Sequence, residues 1–114
     1  MTMTRRLFLV ALVAGIVGLT VPVRAQRLSY EQLTIAGTAV SITPATYANK
    51  RGCYIRIATA EVRYRPDGTA PTSTVGVPLQ VGDVLPLPNI ADIPFYSFIR
   101  TTSTSGVGEI VCWP

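Results

Sequence analysis

The chain has 114 residues, 48% of them hydrophobic and 14% charged, with a formal charge of +4 and no histidine. That size holds one core and excludes a multidomain enzyme. The missing histidine removes the commonest general base, the Ser-His and Cys-His pairs and most catalytic metal sites.

The positive charge is unevenly placed. Three of the basic residues, Arg5, Arg6 and Arg24, fall in the first 25 residues, where there is no acid. After the basic pair comes an apolar run from Leu7 to Val23, interrupted only by Gly15, Gly18, Thr20 and Pro22. Val23-Arg24-Ala25 then sets small residues three and one positions before a cut between Ala25 and Gln26. A basic start, a short apolar stretch and such a site make a cleavable secretory signal peptide over residues 1–25. The alternative is an uncleaved anchor, since about 17 apolar residues is the lower limit of a membrane span. The stretch Thr4-Arg5-Arg6-Leu7-Phe8-Leu9 resembles a twin-arginine export signal, with Arg5, Arg6, Phe8 and Leu9 carrying the motif. Val10 stands where that signal usually has Lys, so the general secretory route stays open. The twin-arginine resemblance implies export from a bacterial cytoplasm, and either route implies a protein that is secreted or periplasmic and meets the membrane only in transit.

From residue 26 onward seven basic side chains face six acids, a balance of +1. That is too little for the footprint of a nucleic-acid-binding module. No stretch here keeps a helical period. Short segments rich in β-branched and aromatic residues alternate with turn chemistry about every ten residues, the pattern of an all-β sandwich or barrel. Strands are expected at 28–35, 38–43, 52–59, 61–65, 80–87, 95–102 and 107–113. The fold class is therefore all-β, a small antiparallel β-sandwich of about seven strands, immunoglobulin-like or jelly-roll-like, in a single domain over 26–114. Pro86 and Pro88 remove backbone donors and put their segment at a sheet edge. The polar run 101–106 (TTSTSG) is expected as an exposed hairpin loop.

Strand parity places the two cysteines. Cys53 shares a face with Ile55 and Ile57, and Cys112 with Ile110, so both thiols look inward. In an oxidising compartment such a pair reads as a disulfide. Closing a loop of about 60 residues stabilises the fold by roughly 4 kcal/mol in the chain-entropy model. The alternative is two reduced, buried cysteines. Without histidine or a second nearby Cys neither belongs to a usual zinc site, and no metal or cofactor is implied. The same parity puts Trp113 on the outer face, where Tyr54 is the other candidate surface aromatic. Arg56, Arg63 and Arg65 face away from Ile55, Ile57, Val62 and Tyr64. They are either solvated side chains covering a sheet or a basic stripe beside Tyr54 for an anionic partner.

The segment 62–72 (VRYRPDGTAPT) runs from an alternating strand into a turn. Pro66 fixes φ, Asp67 can accept from a backbone amide two residues on, and Gly68 can take positive φ. Pro71 then forces an extended exit. Arg63, Arg65, Asp67, Gly68, Thr69, Pro71 and Thr72 are thus a candidate binding site or a well-built corner.

With Pro78-Leu79, Gly82-Asp83 and Phe98-Ile99-Arg100 after it, the stretch 63–76 (RYRPDGTAPTSTVG) resembles small β-rich proteins from tailed-phage and prophage structural gene clusters. The opening 28–46 fits the same spacing. This resemblance implies a non-catalytic virion component such as a head decoration or tail accessory protein. The turn alone is also similar to immunoglobulin-like accessory domains of bacterial glycoside hydrolases and surface proteins. Both imply a β-sandwich. There is no Walker loop, nucleophile elbow or dinucleotide fingerprint. Most acids, Asp67 and Asp83 among them, stand beside turn-forming residues, where a carboxylate satisfies local donors. The expectation is an exported, non-catalytic module working by self-assembly or by binding a protein partner. The alternative is a periplasmic or cell-surface module that binds glycan or envelope protein through its loops.

Overall fold

A computed structural model describes residues 27–114. The expected signal peptide, with Arg5, Arg6, Phe8 and Leu9 and the cut between Ala25 and Gln26, lies outside the described residues. No helix among the described residues is long and apolar enough to cross a membrane.

The fold grows from two strongly alternating strands. In β2 (Gly52–Ala58) the side chains of Cys53, Ile55 and Ile57 are fully buried while Tyr54 and Arg56 are exposed. β7 (Gly106–Trp113) alternates without a break, burying Gly106, Gly108, Ile110 and Cys112. The two pair antiparallel with Cys53 opposite Cys112, and the sulfurs are bonded across the pair, 59 residues apart in sequence. β1 (Ser29–Ile35) lies on the other side of β7, and β5 (Val84–Leu87) on the other side of β2. Sheet A therefore runs β1-β7-β2-β5, all antiparallel.

Sheet B has the order β4-β3-β6, made of β3 (Val62–Arg65), β4 (Val77–Leu79) and β6 (Ser97–Arg100), also antiparallel. Its inner face supplies Val62, Leu79 and Phe98 to a core that the isoleucines 35, 55, 57 and 110 fill from sheet A. Tyr64 lies stacked on Tyr96, 5.8 Å between ring centres, and tilted against Phe98. Gly106 lets the layers meet, since a Cβ there would stand 2.5 Å from Val62 Cγ1 of sheet B; Gly108 leaves room within sheet A, where a Cβ would stand 2.6 Å from Ile55 Cδ1 of the neighbouring β2. Among the described residues seven strands in two antiparallel sheets form the small all-β sandwich that the sequence pattern implies.

The structure corrects several local expectations. Segment 38–43 forms only an isolated bridge, in which Val40 and Phe98 exchange both backbone hydrogen bonds. Beyond it Glu31 competes for the chain. Its carboxylate accepts from Thr43 N–H at 3.1 Å, from the Thr43 hydroxyl at 2.6 Å and from the Thr46 hydroxyl at 2.8 Å. These bonds turn the segment into the short helix α1 (Pro44–Tyr47). The expected strand 80–87 is shorter, because Asp83 Oδ2 accepts from Gln80 N–H at 2.8 Å and Gly82 takes φ of +92°, making 80–83 a turn. β4, which contains Pro78, went unassigned in the sequence; it is an edge strand, where a proline is tolerated. β5, with Pro86, occupies the other expected edge position. A 3-10 turn at Ile90–Phe95, started by Asn89 Oδ1 accepting from Ala91 N–H, carries the chain from β5 to β6. The 101–105 loop passes from sheet B to sheet A and is therefore a crossover between layers, not a hairpin.

The disulfide yields the first prediction. Replacing both cysteines by alanine lowers unfolding stability by about 2–4 kcal/mol, read from urea denaturation. Full alkylation of the native protein without reductant, or an unchanged midpoint in the double variant, contradicts it.

Candidate functional site

The long corner between β3 and β4 follows its sequence in the first half. Asp67 Oδ1 accepts from Thr69 N–H at 3.1 Å, and Gly68 has φ of +79°. Arg65 reaches forward as a fork, Nε donating to Oδ1 at 3.1 Å and Nη2 to Oδ2. That contact, and after it the Thr69 amide, hold the exposed Asp67 carboxyl below its ordinary pKa. Gly68 N–H donates to Phe95 O at 3.0 Å and Ser97 Oγ to Thr69 O at 3.4 Å, tying the corner to the start of β6.

The second half departs from an exposed exit. Pro71 is buried, and the loop folds back over the outer side of sheet B, with Gly76 tight against Arg63 and Pro71. Arg63 lies beneath it. Its Nη1 donates to Gly76 O at 2.8 Å, and its Nε is buried without a partner. Thr72 Oγ1 accepts from Val75 N–H at 2.9 Å and closes the tip. Arg56 stands elsewhere, on sheet A, 3.6 Å from Glu109 of β7. Arg56 and the pair Arg63 and Arg65 thus belong to different layers, and the basic stripe beside Tyr54 does not form, because β2 and β3 separate into two sheets.

Two surfaces gather the remaining chemistry. The first is a groove of about 400 Å³ at the C-terminal end of β6, between the 66–76 loop, the 101–105 loop and Gly37. Thr72, Ser73 and Thr102 bring hydroxyls to it, Arg100 a guanidinium, and Pro71 and Ile99 apolar surface.

The second is the outer face of sheet A. Register sets Tyr30, Val111, Tyr54 and Pro86 in one row across all four strands. The next row is Gln32, Glu109, Arg56 and Val84. On the other side Trp113 faces Gly52, and the indole lies over that glycine: a Cβ there would stand 2.6 Å from Trp113 Cζ2 and 2.9 Å from Pro88 O. Tyr30 is 61% exposed and Val84 54%, while Trp113 is half-buried. The sequence singled out Tyr54 and Trp113. It missed Tyr30 and Pro86, although the alternation in SYEQLTI already sets Tyr30 opposite Ile35. It also missed the grouping of Arg100 with Gly37 and Ser73, which loop geometry alone creates.

Among the described residues no three of His, Cys, Asp and Glu gather into a metal-binding group. Compared with protein-family models, with curated proteins and with solved structures, the chain finds no match in any of the three.

Two outcomes follow from the geometry. Asp67 has a lower pKa folded than unfolded, so its contribution to stability is complete above the ordinary aspartate value, about pH 4, and fades as pH falls through the folded value. Asp67→Asn flattens that part of the acid-unfolding curve; a carboxyl midpoint at or above the ordinary value in NMR titration counts against it. Gly52→Ala displaces the indole of the chain's single tryptophan. Its fluorescence then shifts to the red and stability drops by about 1–3 kcal/mol, whereas an unchanged spectrum contradicts the packing.

Proposed function

We propose that the chain is exported, cut after Ala25, and that its β-sandwich is a non-catalytic module that works by assembly, binding further copies of itself through the outer face of sheet A. The observation that carries this reading is the row Tyr30-Val111-Tyr54-Pro86, flanked by Trp113 and Val84. Four strands spaced about 4.8 Å apart and one row about 7 Å deep give a flat apolar strip of roughly 130 Å², which Trp113 and Val84 flank. Burying it stabilises association by a few kcal/mol, at roughly 25 cal/mol per Å². That suits one of several repeated contacts in an assembly better than a lone stable dimer, which needs about 800 Å² per partner. The rim is electrically mixed, with Arg56 exposed and Glu109 half-buried beside it, so two copies related by a two-fold axis can exchange partners without like charges meeting.

Export is supported by the basic, then apolar, N-terminal sequence and by the disulfide, a bond that persists in oxidising compartments. The non-catalytic reading is supported by the absence of histidine and by the use of Glu31, Asp67, Asp83 and Glu109 in local hydrogen bonds and ion pairs. The resemblance to phage and prophage virion accessory proteins agrees with assembly as the work. A second reading, a module of the periplasm or cell surface binding glycan or envelope protein through its loops, is favoured by the groove at the end of β6.

Light scattering on the protein purified from a bacterial periplasm tests the first reading. Apparent mass rises with concentration, and Tyr30→Ser with Tyr54→Ser returns it to that of the monomer. A wild-type protein that stays monomeric at high concentration sinks the assembly reading, and an intact N-terminus by mass spectrometry sinks cleavage after Ala25.

A further inference from the structure

We infer that the groove at the end of β6 is a binding site for a singly charged carboxylate carried by an acidic sugar residue, with Arg100 as the anion-binding group. The groove belongs to sheet B and its loops, so the inference stands or falls independently of association through sheet A.

Among the described residues Arg100 is the one cation that lines the groove. It is half-buried, and among the described residues it forms no ion pair; its side-chain contact is a long hydrogen bond from Nη1 to Ser105 Oγ at 3.4 Å. A guanidinium partly withdrawn from water without an acid gains more from an arriving anion than an exposed one does. Its main chain is anchored beside Gly37. The backbone N–H of Arg100 donates to Ala36 O at 3.1 Å, and the guanidinium lies against Gly37, where a Cβ would stand 3.2 Å from Nη2 and 3.5 Å from Cζ and Nε. Gly37 has no positive φ to explain it, so its bare Cα provides room for this side chain. A planar fork matches the two oxygens of a carboxylate.

The rest of the lining selects what carries the carboxylate. Thr72, Ser73 and Thr102 line the same groove; Thr72 Oγ1 accepts from Val75 N–H and Thr102 Oγ1 from Thr104 N–H, which leaves their O–H groups to donate to sugar hydroxyls. Ile99 and Pro71 offer apolar surface to the C–H face of a pyranose ring. The volume, about 400 Å³, lies at the small end of ligand sites and accepts one or two sugar units. Arg63, in register with Ile99, adds positive potential from beneath the loop but is turned to Gly76. One half-buried fork among neutral groups favours a monoanion over a phosphate dianion.

The test is titration of the isotope-labelled protein with glucuronate, followed by amide and Arg Nε–H shifts, with glucose and inorganic phosphate as comparators and polyglucuronate as the polymeric source. Glucuronate at millimolar concentration is expected to move Arg100, Thr72 and Thr102 while glucose does not. Arg100→Gln weakens binding roughly tenfold or more, the scale of a charge-assisted hydrogen bond, and Arg100→Lys restores part of it. Thr102→Val, an exposed loop change that leaves the core alone, weakens binding severalfold and keeps the inference testable if Arg100 variants fold poorly. Tighter binding of polyglucuronate than of glucuronate identifies a polymer as the source, and equal binding identifies the free sugar acid. The inference is overturned if glucuronate moves no groove resonance, if phosphate binds as tightly, or if Arg100→Gln and Thr102→Val both bind like the wild type.

Discussion

The pairing of β2 with β7 in one register governs this protein. With Cys53 opposite Cys112, every second residue of both strands faces the core, and the covalent bond forbids the one-residue slip that would exchange the two faces. From that register follow the isoleucine core inside and the Tyr54, Val111 and Trp113 surface outside. β1 and β5 then dock on either flank and extend both faces without changing them. Sheet B depends on the same constraint at one remove, because Gly106 of β7 leaves the space that Val62 occupies.

Polar side chains organise most of what lies between the strands. Glu31 bends the chain into α1, Asp83 makes the turn before β5, Asp67 and Arg65 set the corner after β3, and Asn89 starts the 3-10 turn. Each acts within its own neighbourhood and most are exposed, so their energies are individually small. Their combined effect is on geometry. They decide where the loops stand, and the groove at the end of β6 exists because two loops and Gly37 stop at the same place.

Period-two alternation made the strong strands legible: 52–59 and 107–113 fall within a residue of β2 and β7, and their inward cysteines are bonded. Asx chemistry made Asp67 and Gly68 legible, since both act over two residues. The segment 38–43 was misread because its alternation is overruled by Glu31, twelve residues away in sequence. β4 was missed because a proline inside three residues reads as a break, and only its edge position excuses it. The separation of Arg56 from Arg63 and Arg65 could not be read from spacing, since nothing local tells which consecutive strands share a sheet. The Arg100 groove was illegible for the same reason: its lining comes from three parts of the chain that approach only in the folded sandwich.

The disulfide also divides the chain mechanically. Residues 54–111, which contain all of β3, β4, β5 and β6, lie inside the covalent loop, while β1 and α1 lie outside it. Tension applied between Arg27 and Pro114 passes from Cys53 directly to Cys112 and leaves the loop unloaded. Such a pull peels β1 from β7 and straightens 27–53, a gain bounded by roughly 90 Å of extended chain, while the strands of sheet B stay inside the covalent loop and the groove loses Gly37, which lies in the straightened stretch. A module held between two anchored neighbours would thus yield at one strand, by a fixed length, and refold onto a template that never came apart.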